Sequence, residues 1–270
     1  MIKDITIGQY FPGNSPLHRL DARMKIILTL ALAVSIFLCK NFFALGFFLI
    51  VTAVLVAMSK IPFKTILKSI KPLAIIILIT AFLNIFYGKG EPLFSIGRFA
   101  ITRSGIETAV FMAFRIIILV VVTSLLTYTT SPTQLTDALE RLMKPLKLLK
   151  IDTHAISMTM TIALRFIPTL VEEIDKIMSA QKSRGADMDS GNIINKVKAL
   201  IPVLIPLFVS SFRRANELAY AMECRCYRGG EGRTKMKVMK LSVGDFAALA
   251  IVGLIIAAIV LMNIYLSDVI

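Results

Sequence analysis

The chain has 270 residues, 56% of them hydrophobic, and a mean hydropathy of +0.77, more apolar than a soluble domain, for which about 45–50% is usual. Its formal net charge of +14 would point to nucleic acid in a polar chain, but here it fits Lys and Arg gathered on one side of a bilayer, and a nucleic-acid partner is set aside. The three cysteines, Cys39, Cys224 and Cys226, and the two histidines, His18 and His154, have neither the spacing of a disulfide framework nor that of a metal site. Cys224 and Cys226 read as reduced cytosolic thiols, with no metal expected.

In chain order, the first 23 residues are polar and rich in turn residues, with no apolar stretch of the kind a cleaved signal peptide carries. Asp21 is placed to cap a helix. Five apolar runs are predicted as membrane helices: Met24–Cys39, Phe42–Met58, Pro72–Tyr87, Ile106–Tyr128 and Val243–Leu266. A full crossing takes about 20 residues, with a range of about 17–25. The first and third runs are at or below that, and read as short spans or partly re-entrant segments. Helix is required wherever the backbone crosses lipid. Small residues in these runs (Ala31, Gly46, Ala53, Ala74, Ala81) are candidates for close helix approach.

Lys and Arg set the orientation. Lys3, Arg19, Arg23 and Lys25 precede or open the first run, and Lys60, Lys64, Lys68 and Lys71 follow the second. Lys40 stands alone after the first run, whereas Lys89, Arg98 and Arg103 between the third and fourth weaken the asymmetry without reversing it. The expected topology has a cytoplasmic N-terminus, four crossings, a cytoplasmic insert over 129–242 and a last crossing at 243–270 that leaves the C-terminus outside. The expected division is thus 1–128, 129–242 and 243–270: an all-α membrane protein with three amphipathic helices inserted before the last span.

Within the insert, Ser131-Pro132-Thr133-Gln134 opens the first helix as a capping box with proline at the first helical position. Leu135, Ala138, Leu139, Leu142 and Leu146 share a face, and Pro145 ends or kinks the helix. The second helix runs from about His154 to Arg184. Its apolar stripe is Ile156, Met160, Ala163, Ile167, Leu170, Ile174 and Ile177, and the next steps land on Gln181 and Arg184. The third runs from about Asn195 to Arg225, with Val197, Ile201, Leu204, Phe208, Ser211, Ala215, Leu218 and Met222 leading to Arg225. Pro168, Pro202 and Pro206 predict bends.

No phosphate loop, H-E-x-x-H or G-x-S-x-G occurs, and Glu172, Glu173 and Asp175 are taken as a solvated helix face. No catalytic residue is expected. Instead, Ser183-Arg184-Gly185 closes one long helix and Cys224-Arg225-Cys226 the other, each carrying an arginine from an apolar stripe into water. Complementing the helix dipole is one reading. A rigid guanidinium on a packed helix end, entering a carboxylate-lined groove, is the other. Arg115, inside the fourth run, is read as structural ahead of functional, since it can reach the interface by snorkelling.

The segments Ala163-Leu-Arg-Phe-Ile-Pro-Thr-Leu170, Ser179-Ala-Gln-Lys-Ser-Arg-Gly185, Ala221-Met-Glu-Cys-Arg-Cys-Tyr-Arg-Gly-Gly230 and Pro12-Gly-Asn-Ser-Pro-Leu-His-Arg-Leu-Asp21 resemble the T component of energy-coupling factor transporters. The resemblance covers most of the chain in order. It implies two Ala-Arg-Gly motifs that end cytoplasmic coupling helices and dock into two ABC-type ATPase subunits. It also implies a membrane part that contacts a small substrate-binding S component in a bacterial or archaeal cell membrane. ATP and Mg would be used by the partner ATPases, and no cofactor would be bound by this chain. Carried over by position, Arg184 and Arg225 are the coupling arginines, flanked by Ser183 and Gly185 and by Cys224 and Cys226. Ser183 departs from the usual alanine. Cys226 departs from the usual glycine, which leaves the cap geometry there open. Arg228-Gly229 is a rival for the second motif, but the stripe selects Arg225, because Arg228 is off its regular steps.

The implied function is a membrane scaffold subunit that transmits ATP-driven motion to an S component holding a vitamin or transition-metal ion. A stand-alone secondary transporter is the alternative; it needs polar groups converging at midplane on broken helices, and the apolar runs offer only Asn84 and Arg115. An integral membrane enzyme would need clustered His, Asp or Glu, which the sequence lacks.

Overall fold

The computed structural model describes residues 10–87, 92–96, 99–150, 152–186, 193–230, 239 and 241–265. Ser15 caps the short α1 (Pro16–Arg19), and Asp21 caps α2 (Ala22–Leu38) by accepting from the Arg23 amide. After α3 (Phe42–Ser59) come α4 (Phe63–Ile70), a 3₁₀ turn at Lys71–Leu73 and α5 (Ala74–Tyr87). The third membrane segment is therefore a longer helical stretch than its apolar run. Lys64, Lys68 and Lys71 lie on helix, not in a loop, and Pro72 is absorbed by the 3₁₀ turn. With α4 included, the segment reaches Phe63–Phe86, 24 residues, enough to cross the hydrocarbon core of a bilayer. It is neither short nor re-entrant by length.

An antiparallel hairpin, β1 (Pro92–Ile96) and β2 (Phe99–Thr102), then leads into α6 (Arg103–Thr129), a 27-residue helix capped by Thr102. α7 (Pro132–Leu142) starts with the expected capping box: the Gln134 amide donates to the Ser131 hydroxyl, and the Gln134 side chain accepts from the Ser131 amide. A 3₁₀ stretch over Lys144–Leu149 takes up Pro145. α8 (Thr153–Ser183), α9 (Ile193–Cys224) and α10 (Val243–Tyr265) complete the chain.

Among the described residues, five stretches are long and apolar enough to cross a membrane: α3, α4–α5, α6, α8 and α10. α2, with 17 residues, is shorter than any of these. The chain divides into two compact units. One spans Thr136–Lys237, and the other Gly8–Leu135 together with Val238–Ile270.

In the second of these, α2, α3, α6 and α10 pack around Leu32, Ile36, Phe48, Ile118, Val122 and Ile259. A smaller cluster joins Ile61 and Ile66 to Val121, Leu125 and Tyr128. The Tyr128 hydroxyl shares a 2.7 Å hydrogen bond with Ser69, tying α6 to α4. A close backbone approach is at Gly105, where a Cβ would meet the Ile85 carbonyl at 2.7 Å. Of the small residues expected to serve that purpose, Gly46, Ala53 and Ala74 are exposed. Outward faces are strongly apolar, with Ile75 and Leu78 each 70% exposed, a surface suited to lipid.

In the unit containing α8 and α9, the two long helices run antiparallel. Phe166 and Leu218 line one groove, Ser210 donates to Glu173, and His154 at the start of α8 lies against Gly230 beyond the end of α9. Glu140 of α7 accepts from Ser157 of α8 at 3.1 Å and pairs with His154 at 3.3 Å.

Candidate functional site

Two helix ends built to one plan carry the candidate motifs. At the end of α8, the Gly185 amide donates to the Lys182 carbonyl and the Ala186 amide to the Gln181 carbonyl, both at 3.0 Å. Gly185 adopts φ +86°, the left-handed C′ geometry that closes a helix. At the end of α9, the Cys226 amide donates to the Glu223 carbonyl at 2.8 Å and the Tyr227 amide to the Met222 carbonyl at 3.0 Å. Cys226 sits at φ +56°. The hydrogen-bond pattern is the same, with Cys226 in the place of Gly185 and Arg225 in that of Arg184. The cap at the second motif thus forms without glycine.

Ser183, Arg184, Gly185, Cys224, Arg225 and Cys226 are all exposed. Among the described residues neither the Arg184 nor the Arg225 guanidinium has an ion-pair partner. Gln181, half-buried, supports the first cap through its carbonyl. Arg228 is exposed and lies beyond the second cap, and Gly229 has its own positive φ of +88°. The structure therefore pairs Arg225, not Arg228, with Arg184 by position.

The tie between the long helices sets where these arginines sit. Glu173 of α8 accepts from the Ser210 hydroxyl at 2.5 Å and forms an ion pair with Arg214 of α9. Glu173 is thus a paired residue and not part of a solvated face, although Glu172 beside it is exposed. At 1.5 Å per residue, Arg184 lies about 16 Å along α8 from Glu173, and Arg225 about 16 Å along α9 from Arg214. Because the helices are antiparallel, these distances run in opposite directions. A groove of about 460 Å³ between them, lined by Phe166, Leu170, Ala215, Leu218, Met222 and Tyr227, leads towards the Arg225 end.

The face of α9 that packs is Val203, Ser210, Ser211, Arg214, Leu218 and Met222. The expected stripe coincides with it only in the second half. Ile201, Leu204 and Phe208 are 48%, 57% and 65% exposed, so the first half of α9 presents its apolar side outward. Nothing is described for the Val197 side chain, which lies outside the described residues, as does that of Leu146.

Arg115 is held inside the four-helix core. One terminal amine donates to the Cys39 carbonyl at 2.6 Å, and the guanidinium lies 4.7 Å from the centre of the Phe111 ring. Asn263 of α10 completes the arrangement, donating to the Leu38 carbonyl at 2.6 Å and accepting from the Lys40 amide at 3.2 Å. Together they satisfy carbonyl and amide groups at the C-terminal end of α2, a helix of 17 residues. A helix end leaves carbonyls without partners inside the helix, and these two side chains supply them.

A second linkage went unrecognised in the sequence. Asp245, 1% exposed, accepts from the Asp21 amide at 2.8 Å and from the Ser242 amide at 2.7 Å. Asp21 in turn pairs with Arg23, which also donates to the Met239 carbonyl. The only available signal was an acidic residue in the first turn of a very apolar helix.

The family model described as cobalt transport protein, CbiQ, matches residues 13–236. The chain is 54% identical to the energy-coupling factor transporter transmembrane protein EcfT of Clostridium kluyveri over 250 residues, 92% of this chain and 93% of that one. It is 52% identical to the EcfT of Ruminiclostridium cellulolyticum over 97% of this chain and 98% of that one. It is also 43% identical to that of Bacillus subtilis over 97% and 98%. With five helices among the described residues apolar enough to cross a bilayer and these likenesses along nearly its whole length, the chain belongs to the CbiQ family, among the transmembrane components of energy-coupling factor transporters.

Proposed function

We propose that this chain is the mechanical link of an uptake complex: two ABC-type ATPase subunits grip Arg184 and Arg225, and their ATP-driven closure moves α8 and α9. That motion is passed to an integral S component carrying a vitamin or a transition-metal ion. The observation that carries the reading is the pair of identically capped helix ends, each with an exposed arginine, directed away from each other along an antiparallel pair. One partner site cannot meet both ends; two copies of an ATPase can. A guanidinium with no ion-pair partner of its own among the described residues suits a carboxylate-lined groove.

The tie through Glu173, Ser210 and Arg214 supports force transmission, because displacement of one helix end moves its neighbour. The exposed apolar side of α9, with Ile201, Leu204, Ile205, Phe208 and Phe212, offers a surface for an integral membrane partner. In this reading α8 lies in the cytoplasmic insert; Ile162, Phe166 and Leu170 face α9, whereas Ile156 and Met160 at the start of the expected stripe are 41% and 39% exposed. The N-terminus is cytoplasmic, and this chain itself performs no hydrolysis.

Purification of the full chain from its native membrane, followed by transport assays in liposomes, tests the proposal. ATPase subunits should co-purify, and uptake should require ATP inside the compartment that holds them. Solute uptake by the chain alone, without ATP or accessory subunits, would establish the secondary-transporter reading instead.

A further inference from the structure

Two adjoining cavities at one end of the membrane bundle differ sharply in character. The first, about 290 Å³, is an apolar crevice between α2, α3, α6 and α10, walled by Leu28, Leu32, Leu55, Val122, Ala248 and Ile255. It opens outward where Met58 and Ile251 are 44% and 58% exposed. The second is polar and is lined by Asn14, Arg19, Lys60 and Ser242. Pro16, Leu20 and Gly244 line both, so the two share a border.

Charge at the junction is positive. Arg19 and Lys60 are exposed and have no ion-pair partner among the described residues. Lys60 is placed at the rim by a left-handed C-cap, φ 56°. Lys25, buried at the boundary, donates to the Thr129 carbonyl at 2.9 Å and the His18 carbonyl at 3.3 Å, which leaves its third N–H to spare. The two carboxylates nearby are already engaged: Asp21 with Arg23, and Asp245 with the Asp21 and Ser242 amides. Neither neutralises the rim.

We propose that this composite cavity binds an anionic phospholipid, one acyl chain lying in the crevice and its phosphate held by Arg19 and Lys60. A basic pocket between membrane helices is the recognised setting for an acidic headgroup. The apolar crevice beneath supplies what a free phosphate would not use. The outward opening between Met58 and Ile251 gives a lipid tail lateral access. A bound lipid would fill the gap between α2 and α10, the same pair that Asp21 and Asp245 join.

The test uses the intact complex in phosphatidylcholine vesicles containing phosphatidylglycerol with a photoactivatable group in its acyl chain, with adducts located by peptide mapping. Adducts should fall on α2 around Leu28–Leu32 and on α10 around Ala248–Val252. Unlabelled phosphatidylglycerol should suppress them, and extra phosphatidylcholine should not. Removing one rim cation should lower affinity about fivefold, and Arg19→Gln with Lys60→Gln about thirtyfold, whereas Lys68→Gln on α4 should have no effect. Ala248→Phe, which fills the crevice, should abolish the adducts. Equal competition by phosphatidylcholine overturns the proposal, as does labelling indifferent to the rim substitutions. Adducts that form on the isolated chain but not in the complex also overturn it, since a protein subunit then covers the crevice. Should the double variant fail to fold, headgroup competition on the unaltered complex decides.

Discussion

At the scale of single residues, two arginines and one cysteine make the sharpest expectations. Arg184→Glu and Arg225→Glu should each weaken ATPase retention about thirtyfold, the loss expected when an interface hot spot is removed. Arg228→Glu, beyond the α9 cap, should change it less than about threefold. Co-purification of the ATPases in a salt series, followed by uptake assays, measures this; equal retention in all three variants would refute the plug reading. Cys226 adopts a backbone conformation that L-residues avoid at about 1–2 kcal/mol. Cys226→Gly should therefore raise the midpoint of thermal unfolding of the purified chain by about 2–4 °C, without loss of ATPase binding. A lower midpoint would mean that the cysteine side chain makes a compensating contact. The periodicity of α9 in the sequence leads to Arg225 and passes over Arg228. The equivalence of its cap to that of α8 was not legible, because Cys in place of Gly hides a left-handed residue.

At the scale of helices, Gly105 and Arg115 each hold one contact together. A methyl group at Gly105 would press on the Ile85 carbonyl at 2.7 Å, and overpacking of this kind costs about 1–3 kcal/mol. Gly105→Ala should reduce folded yield and thermal stability, and unchanged values would show that α5 can shift aside freely. Arg115→Leu leaves the Cys39 carbonyl without its charged donor, and a hydrogen bond to a charged group contributes about 1.5–3 kcal/mol. Its folded yield should fall, with Arg115→Lys partly restoring it, while the ATPase affinity of the surviving protein stays unchanged. A selective loss of ATPase affinity would instead give Arg115 a functional part. Most helices could be read from the sequence because long, predominantly apolar runs over 42–58, 106–128 and 243–266 leave no other structure in lipid. α4 could not, because Lys64, Lys68 and Lys71 resemble a loop until the helix places them on one side. The packing face of the first half of α9 was also missed: Val203 is buried and Phe208 is not, which pattern alone cannot distinguish when both sides are apolar.

At the scale of the whole molecule, topology is open to direct measurement. In a background with Cys224 and Cys226 replaced by Ser, a membrane-impermeant maleimide should label Arg103→Cys from outside intact cells. It should label Leu148→Cys only after permeabilisation. Both sites are accessible, with the Arg103 side chain 83% and Leu148 90% exposed. The reverse pattern would invert the arrangement proposed for α8 and α9. The bond from the Asp21 amide to Asp245 spans 224 positions of sequence. Synthesis runs from the N-terminus, so the Asp21 amide at the head of α2 stays without this acceptor until the ribosome has made the start of α10, and the contact between the two helices closes late.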